Sequence, residues 1–536
     1  MNGELKNAIC GQRPWRLPIF VGISIVWAAC SSWVGWYAVG PGFPDGFQSV
    51  GATFGGQAGH LTWPMMGGFE GFDRAWGYHW FGWPMLRSLA TALVPWSSLG
   101  DGVVLHVLRG LVAVLVAETL FGRTRSRSAA LVGLLTVLLN RGWFCSMAFL
   151  YRPETLTALL LWMAALPLIG RREGGSRIID GLSVLSLLLL PLMHPLAWPA
   201  SMLLAAIGSL TIRRSAGTTN WIRQSSLRWW LPLMLGVSLF AGYYLADPQR
   251  LAQFKDTLQT TTLIKSGFEA TATRLFLDPK NVFFSGPVLA VLGFSLLALG
   301  FDLSSWKALA WDGFGLSLAM VLLSLAYLIA AGHPNTGHAT VTAPFLGYSA
   351  GRLFALDWRS AVTRWLARLA MIGQAATCSL PLLLTAGSFL AHPPESPRAR
   401  ATAVLDRGLA STRGRVIIPL SLWEAAGGAS DQDRARIRFA TFPNWVSIKR
   451  RTAYEQEMTN SLTETDVLIV DGTPPESSDP ANLLPWPRSA ELRGEGGWQK
   501  LDVFDAITNT TLSLGSLHRE EMLLGPMSVF RRRTLN

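Results

Sequence analysis

Between Leu17 and Ala391 the chain returns repeatedly to apolar runs of 16 to 23 residues. A transmembrane helix needs about 20 mainly apolar residues, so each run is a candidate span. Eleven are found, at 17–39, 101–121, 129–149, 153–169, 178–193, 195–210, 229–246, 282–301, 313–331, 341–356 and 369–391. Charge follows the same division. Residues 1–397 hold 45 charged positions, or 11%, whereas residues 398–536 hold 35 in 139, or 25%. The second figure is that of ordinary soluble proteins and the first is not. The predicted fold class is an α-helical polytopic membrane protein of about eleven transmembrane helices with a C-terminal soluble α/β domain. Domains are expected at 1–391 and 392–536. A wholly soluble enzyme, a disordered chain and a disulfide-stapled module are excluded.

The net charge of +12 invites a nucleic-acid reading. The last 139 residues, however, hold 18 Lys/Arg against 17 Asp/Glu, so the surplus lies in loops of the apolar part. With the N-terminus in the cytoplasm, 17 positive charges fall in short inside stretches and nine in the longer outside segments among the spans. That distribution obeys the positive-inside rule and places the C-terminal domain outside. No basic surface suited to tracking phosphates is present. Cys10, Cys30, Cys145 and Cys378 have neither metal-type nor CxxC spacing. Leu17–Val39 is too long for a signal-peptide core and reads as an uncleaved first helix.

The tail reads as mixed α/β after the polar linker Ala391–Pro397. Strands are expected at Arg415–Leu420, Phe442–Ser447, Asp466–Val470, Trp498–Phe504 and Met527–Arg532, and a helix at Asp431–Arg438. It carries no phosphate-binding or metal motif.

Chemistry is sought on the outside. The first outer loop, about 40–100, is long, poor in charge and rich in Gly, Trp and Phe. Loops of that length are often functional. It holds Asp45 just after the first span, then His60, Glu70, Asp73 and His79. A carboxylate there can take a proton from an acceptor hydroxyl or amine, or can simply cap a turn. Tyr151-Arg152-Pro153-Glu154 opens the fourth span. Proline and Glu suit a helix N-terminus, and an Arg–Glu pair at a bundle edge can also hold a phosphate. His194-Pro195 is the tip between two short spans. His333 and His338 flank another turn, where solvated turn residues are the default and zinc or manganese binding is the alternative. The segment 247–281 reads as amphipathic, with Lys265 and Arg274 available to lipid phosphate.

The order of these features resembles the GT-C superfamily of membrane glycosyltransferases, and in particular the protein mannosyltransferase and aminoarabinose transferase group. The resemblance covers about residues 13–391. It rests on the span pattern, Asp45 in the long first loop, Arg152-Pro153-Glu154 and the His194-Pro195 tip. It implies a polyprenyl-phosphate-sugar donor, a lipid, glycan or protein acceptor, hexosyl or pentosyl transfer on the extracytoplasmic face, and inversion at the anomeric carbon. It implies Asp45 as general base, with Asp73, Glu70 and Glu154 as further catalytic carboxylates. Arg152, Lys265, Arg274, His333 and His338 become candidates for the donor phosphate. His60, His79 and His194 are left to acceptor or structural roles. Family members often pair two acidic residues in the first loop, whereas Gly46 follows Asp45 here, so no metal site is assigned. The expected location is a bacterial inner membrane. Two other classes remain open: a transporter or lipid flippase, for which Arg109 and Glu118 in the second span are the best support, and a non-catalytic scaffold presenting the tail.

Overall fold

The computed structural model describes residues 16–38, 82–83, 86, 98–140, 153–169, 177–215, 222–255 except 223, 249 and 253, 267–276, 282–301, 313–330, 341–391 except 359, 393–440, 453–472 except 455 and 459, 498–513 and 516–532. A helix lies within or across each of the eleven apolar segments. These are α1 (Arg16–Ala38), α2 (Ser98–Thr124), α3 (Arg127–Leu138), α4 (Glu154–Ile169), α5 (Arg177–Met193), α6 (Ala197–Ser215), α7 (Leu231–Leu245) led in by a π-helical turn, then α8 (Phe268–Phe276) on the amphipathic segment, α9 (Val282–Phe301), α10 (Phe314–Ala330), α11 (Ala343–Ala355) and α12 (Ala361–Ala391). By length and composition, only α1 and α2 among the described residues suffice to cross a membrane, or three helices if the two halves of α12, bent by 40°, form one span. Of the others, α3, α4, α7, α10 and α11 are shorter than the sequence runs that predict them. In the 129–149 run, for example, the described helix ends at Leu138.

The bundle closes through small residues. α3 and α11 cross where a Cβ on Gly347 would lie 2.8 Å from the Gly133 carbonyl, and one on Gly351 would lie 2.7 Å from that of Ala129. Backbones approach this closely only where side chains are absent, a common device of helix pairs in lipid. Trp162 of α4 fills the space beside this crossing, its ring centroid 5.4 Å from Phe345 and 5.8 Å from Tyr348. Trp229 is buried with its ring against Gly208. The opposite faces of α1, α2 and α12 expose Ile25, Val26, Val104, Val107, Leu366 and Leu383. An apolar surface of that extent needs a bilayer or a partner.

After Ser396, whose side chain caps the next helix by accepting from Ala399, α13 (Pro397–Ala410) leads into a five-stranded sheet. The strands are β1 (Val416–Ile418), β2 (Ile437–Phe439), β3 (Val467–Asp471), β4 (Trp498–Phe504) and β7 (Met527–Arg532), in the order β2-β1-β3-β7-β4. β2, β1 and β3 are parallel, while β7 and β4 join antiparallel. A separate hairpin pairs β5 (Ile507–Ser513) with β6 (Ser516–Leu524). Helices α14 (Trp423–Gly428) and α15 (Asp431–Arg436) lie between β1 and β2. The expected helix 431–438 therefore stops at Arg436, because Ile437 and Phe439 are buried in the parallel sheet and Arg438 continues the strand. The strand expected at Phe442–Ser447 lies outside the described residues.

Candidate active site

An apolar bundle exposes its chemistry where it buries polar groups, because each must find a partner or shift its charge. The first turn of α4 and the end of α5 meet at such a place. Pro153 precedes α4, and its carbonyl accepts from the Thr157 hydroxyl at 2.9 Å. Glu154 therefore stands in the first turn, where the helix dipole favours a carboxylate. Yet it is only 4% exposed. Opposite it, α5 ends at Met193 and the chain turns through His194-Pro195 into α6. His194 is 3% exposed, so it is no solvated turn residue. Its Nδ1 accepts from the Leu196 backbone N–H at 3.1 Å. A neutral ring consequently carries its proton on Nε2, which lies 3.6 Å from Glu154 Oε1. Tyr327 of α10 packs on the same imidazole, with centroids 6.5 Å apart.

α2 supplies the other half. His106 and Arg109 are three residues apart and so share one helical face. Both are 1% exposed. Arg109 Nε donates to Thr155 Oγ1 at 3.1 Å, beside Glu154 in the first turn of α4. Its Nη1 lies 3.3 Å from His106 Nδ1. Glu154 and Arg109 interact electrostatically. Trp27 of α1 closes the cluster edge-on against His106, with centroids 5.6 Å apart. Helices α1, α2, α4, α5 and α10 thus converge on one buried set: His106, Arg109, Glu154, Thr155 and His194. Residues 82 and 83 touch the same tip. Gly82 lies against Leu192, leaving no room for a Cβ, and Trp83 is buried with Leu105 and Met193.

Of the residues singled out from sequence, the structure brings Glu154 and His194 together. Asp45, His60, Glu70, Asp73, His79, Arg152, Lys265, His333 and His338 lie outside the described residues. Arg274 is on α8, and its side chain is not among those described. Arg109 enters here as a partner of the α4 turn. His106 went unremarked in the sequence, although two polar residues at helical spacing inside an apolar run mark a buried polar face. Among the described residues no group of three His, Cys, Asp or Glu side chains could hold a metal ion.

No protein-family model and no curated protein sequence matches the chain. Solved structures do. The aminoarabinose transferase ArnT from Cupriavidus metallidurans, bound to undecaprenyl phosphate, superposes with a TM-score of 0.52 at 11% identity over 95% of this chain and 97% of its own. The same enzyme in the apo state superposes at 0.50 and 12% identity over the same shares. The oligosaccharyltransferase AglB from Archaeoglobus fulgidus, in complex with an inhibitory peptide and a dolichol-phosphate, aligns at 0.44 and 11% identity, over 84% of this chain and 69% of its own. The first two extend over nearly the whole chain. The fold is that of the ArnT structures.

Proposed function

We propose that this chain is a membrane glycosyltransferase that moves a hexosyl or pentosyl group from a polyprenyl-phosphate carrier to a lipid, glycan or protein acceptor, inverting the anomeric carbon. The observation that carries this reading is the buried set of Arg109, Glu154 and His194 at the meeting of α2, α4 and α5, in a fold shared end to end with ArnT, which binds undecaprenyl phosphate. Burying an ionisable group in an apolar bundle costs several kcal/mol, so groups kept there are candidates for a functional task.

In this reading Asp45 takes the proton from the acceptor hydroxyl or amine as its oxygen or nitrogen bonds to the anomeric carbon. The bond from that carbon to the phosphate oxygen breaks, and its electron pair leaves with the polyprenyl phosphate. Cations from among Arg152, Lys265, Arg274, His333 and His338 stabilise the charge developing on the phosphate. Glu70 or Asp73 supplies a second carboxylate of the loop. Glu154 is held by Arg109 and His194 and orients groups at the mouth of the bundle. The eleven apolar segments span a bacterial inner membrane with the N-terminus in the cytoplasm, and the domain 392–536 lies on the outer side.

The test is release of polyprenyl phosphate by the purified chain in lipid nanodiscs, given a panel of polyprenyl-phosphate sugars and a host envelope extract as acceptor. Release with one donor, dependent on the extract, is the expected result. Failure of every donor to bind, measured by native mass spectrometry on folded protein, overturns the reading.

A further inference from the structure

Arg398 stands in the first turn of α13, an unfavourable place for a cation, because the N-terminus of a helix carries partial positive charge. It is nonetheless buried. Its Nε donates to Glu424 Oε2 at 2.8 Å, and its side chain and that of Glu424 are only 6% and 4% exposed. Breaking a pair this deeply buried leaves an uncompensated charge, so the arrangement is specific. The rest of the guanidinium reaches away from its own domain. Nη1 donates to the carbonyl of Trp36 at 3.2 Å and lies 3.4 Å from that of Gly35. The guanidinium carbon sits 5.3 Å from the centre of the Trp36 ring.

Gly35 and Trp36 belong to the last four residues of α1, whose carbonyls have no partner within the helix. A cation is favoured at that end by the helix dipole. Arg398 therefore caps α1 from the C-terminal domain, while Glu424 of α14 offsets the charge on the other side. The segment that follows α1 in sequence is the first outer loop, and Asp45 is nine residues after Trp36.

We infer that Arg398 is a positioning residue: with Glu424 it clamps the C-terminal domain to the end of α1 and so fixes where the first outer loop begins. The C-terminal domain is then a brace for the reaction. The positioning role rests on the transferase reading, whereas the clamp itself does not.

The experiment compares the full chain in nanodiscs with Arg398→Gln, Glu424→Gln and the milder Arg398→Lys, by hydrogen exchange and by donor turnover. Both Gln variants should raise exchange about tenfold in peptides covering the end of α1 and the start of α13, and leave β3 (Val467–Asp471) protected as in the wild type. Turnover should fall about tenfold in kcat with donor KM within twofold, as misplacement of a reacting group predicts, and Arg398→Lys should fall between. Unchanged exchange at α1 overturns the clamp. A raised donor KM with kcat intact overturns the positioning role and makes Arg398 a donor contact. Should β3 also lose protection in one Gln variant, Arg398→Lys decides: exchange raised at α1 alone supports the clamp, and wild-type exchange overturns it. A wild type with no turnover on any donor sinks the transferase reading and the positioning role together, while the exchange result still decides the clamp.

Discussion

Two arginines are buried among the described residues, Arg109 and Arg398, and their surroundings differ. Arg398 meets a carboxylate of its own domain, two helix-end carbonyls and an aromatic face. Arg109 donates to the Thr155 hydroxyl and lies beside His106, and it shares Glu154 with His194. The first is a saturated weld between two helices. The second is a set in which one carboxylate serves two basic groups, so that a change in the charge of one is felt by the others. Polar groups of the first kind hold a structure in one arrangement. Those of the second kind are the ones a reaction can use.

The comparison breaks most easily at its functional end. Asp45→Asn should lower transfer by about 10²–10⁴-fold, the range for loss of a general base, with the thermal melt of the detergent-solubilised protein unmoved. Near-normal transfer would remove Asp45 from the chemistry. Arg109 comes next. Arg109→Met leaves Glu154 buried beside a neutral side chain and should cost about 3–5 kcal/mol in denaturant unfolding. Glu154→Gln in the same protein should recover part of that, a coupling of about 0.5–3 kcal/mol in a double-mutant cycle. Strict additivity would show that the two groups do not share a charge network.

A smaller effect is expected in the C-terminal sheet. Asp466 is buried, which works against its charge, but hydrogen bonds from Arg415 and Thr463 and the positive charge of Arg415 hold its carboxyl below the usual range. A carboxyl whose folded-state pKa is depressed contributes stability above its unfolded value, about 3.9, and loses it as pH falls toward the folded value. Circular dichroism melts should therefore show the sheet weakening below about pH 4. Asp466→Asn should cost about 1–3 kcal/mol at neutral pH and flatten that dependence, with no change in chemistry. The smallest effect belongs to the half-exposed pair Arg407–Asp502, at 3.0 Å. Asp502→Asn should shift stability by no more than about 0.5 kcal/mol, as surface pairs do.

The helices were legible because lipid demands long apolar runs, and the strands Val416–Ile418, Val467–Asp471 and Met527–Arg532 because buried sheet positions are apolar. The β5–β6 hairpin was not, since Thr508-Asn509-Thr510-Thr511 opposite Arg519-Glu520-Glu521 shows no apolar alternation. Helix α13 carried a readable start, Ser396 before Pro397, but its buried stripe of Ala401, Val404, Leu405 and Gly408 is only weakly apolar among Arg- and Ala-rich turns. At the site, Glu154 could be read as a helix-start carboxylate. Its burial could not, because that depends on α2 and on the turn at His194, 40 residues further on. The Arg398 clamp joins residues more than 360 positions apart, and no local pattern announces it.

The central claim is transfer of a sugar from a lipid phosphate with inversion. Its most direct test is the anomeric configuration of the product. A single-turnover reaction would use the donor that supports release, anomerically labelled with ¹³C, and NMR would read the product linkage. An inverted linkage, lost in Asp45→Asn, is the predicted result. A retained linkage would contradict a single displacement driven by a first-loop base and would require a covalent sugar–enzyme intermediate instead.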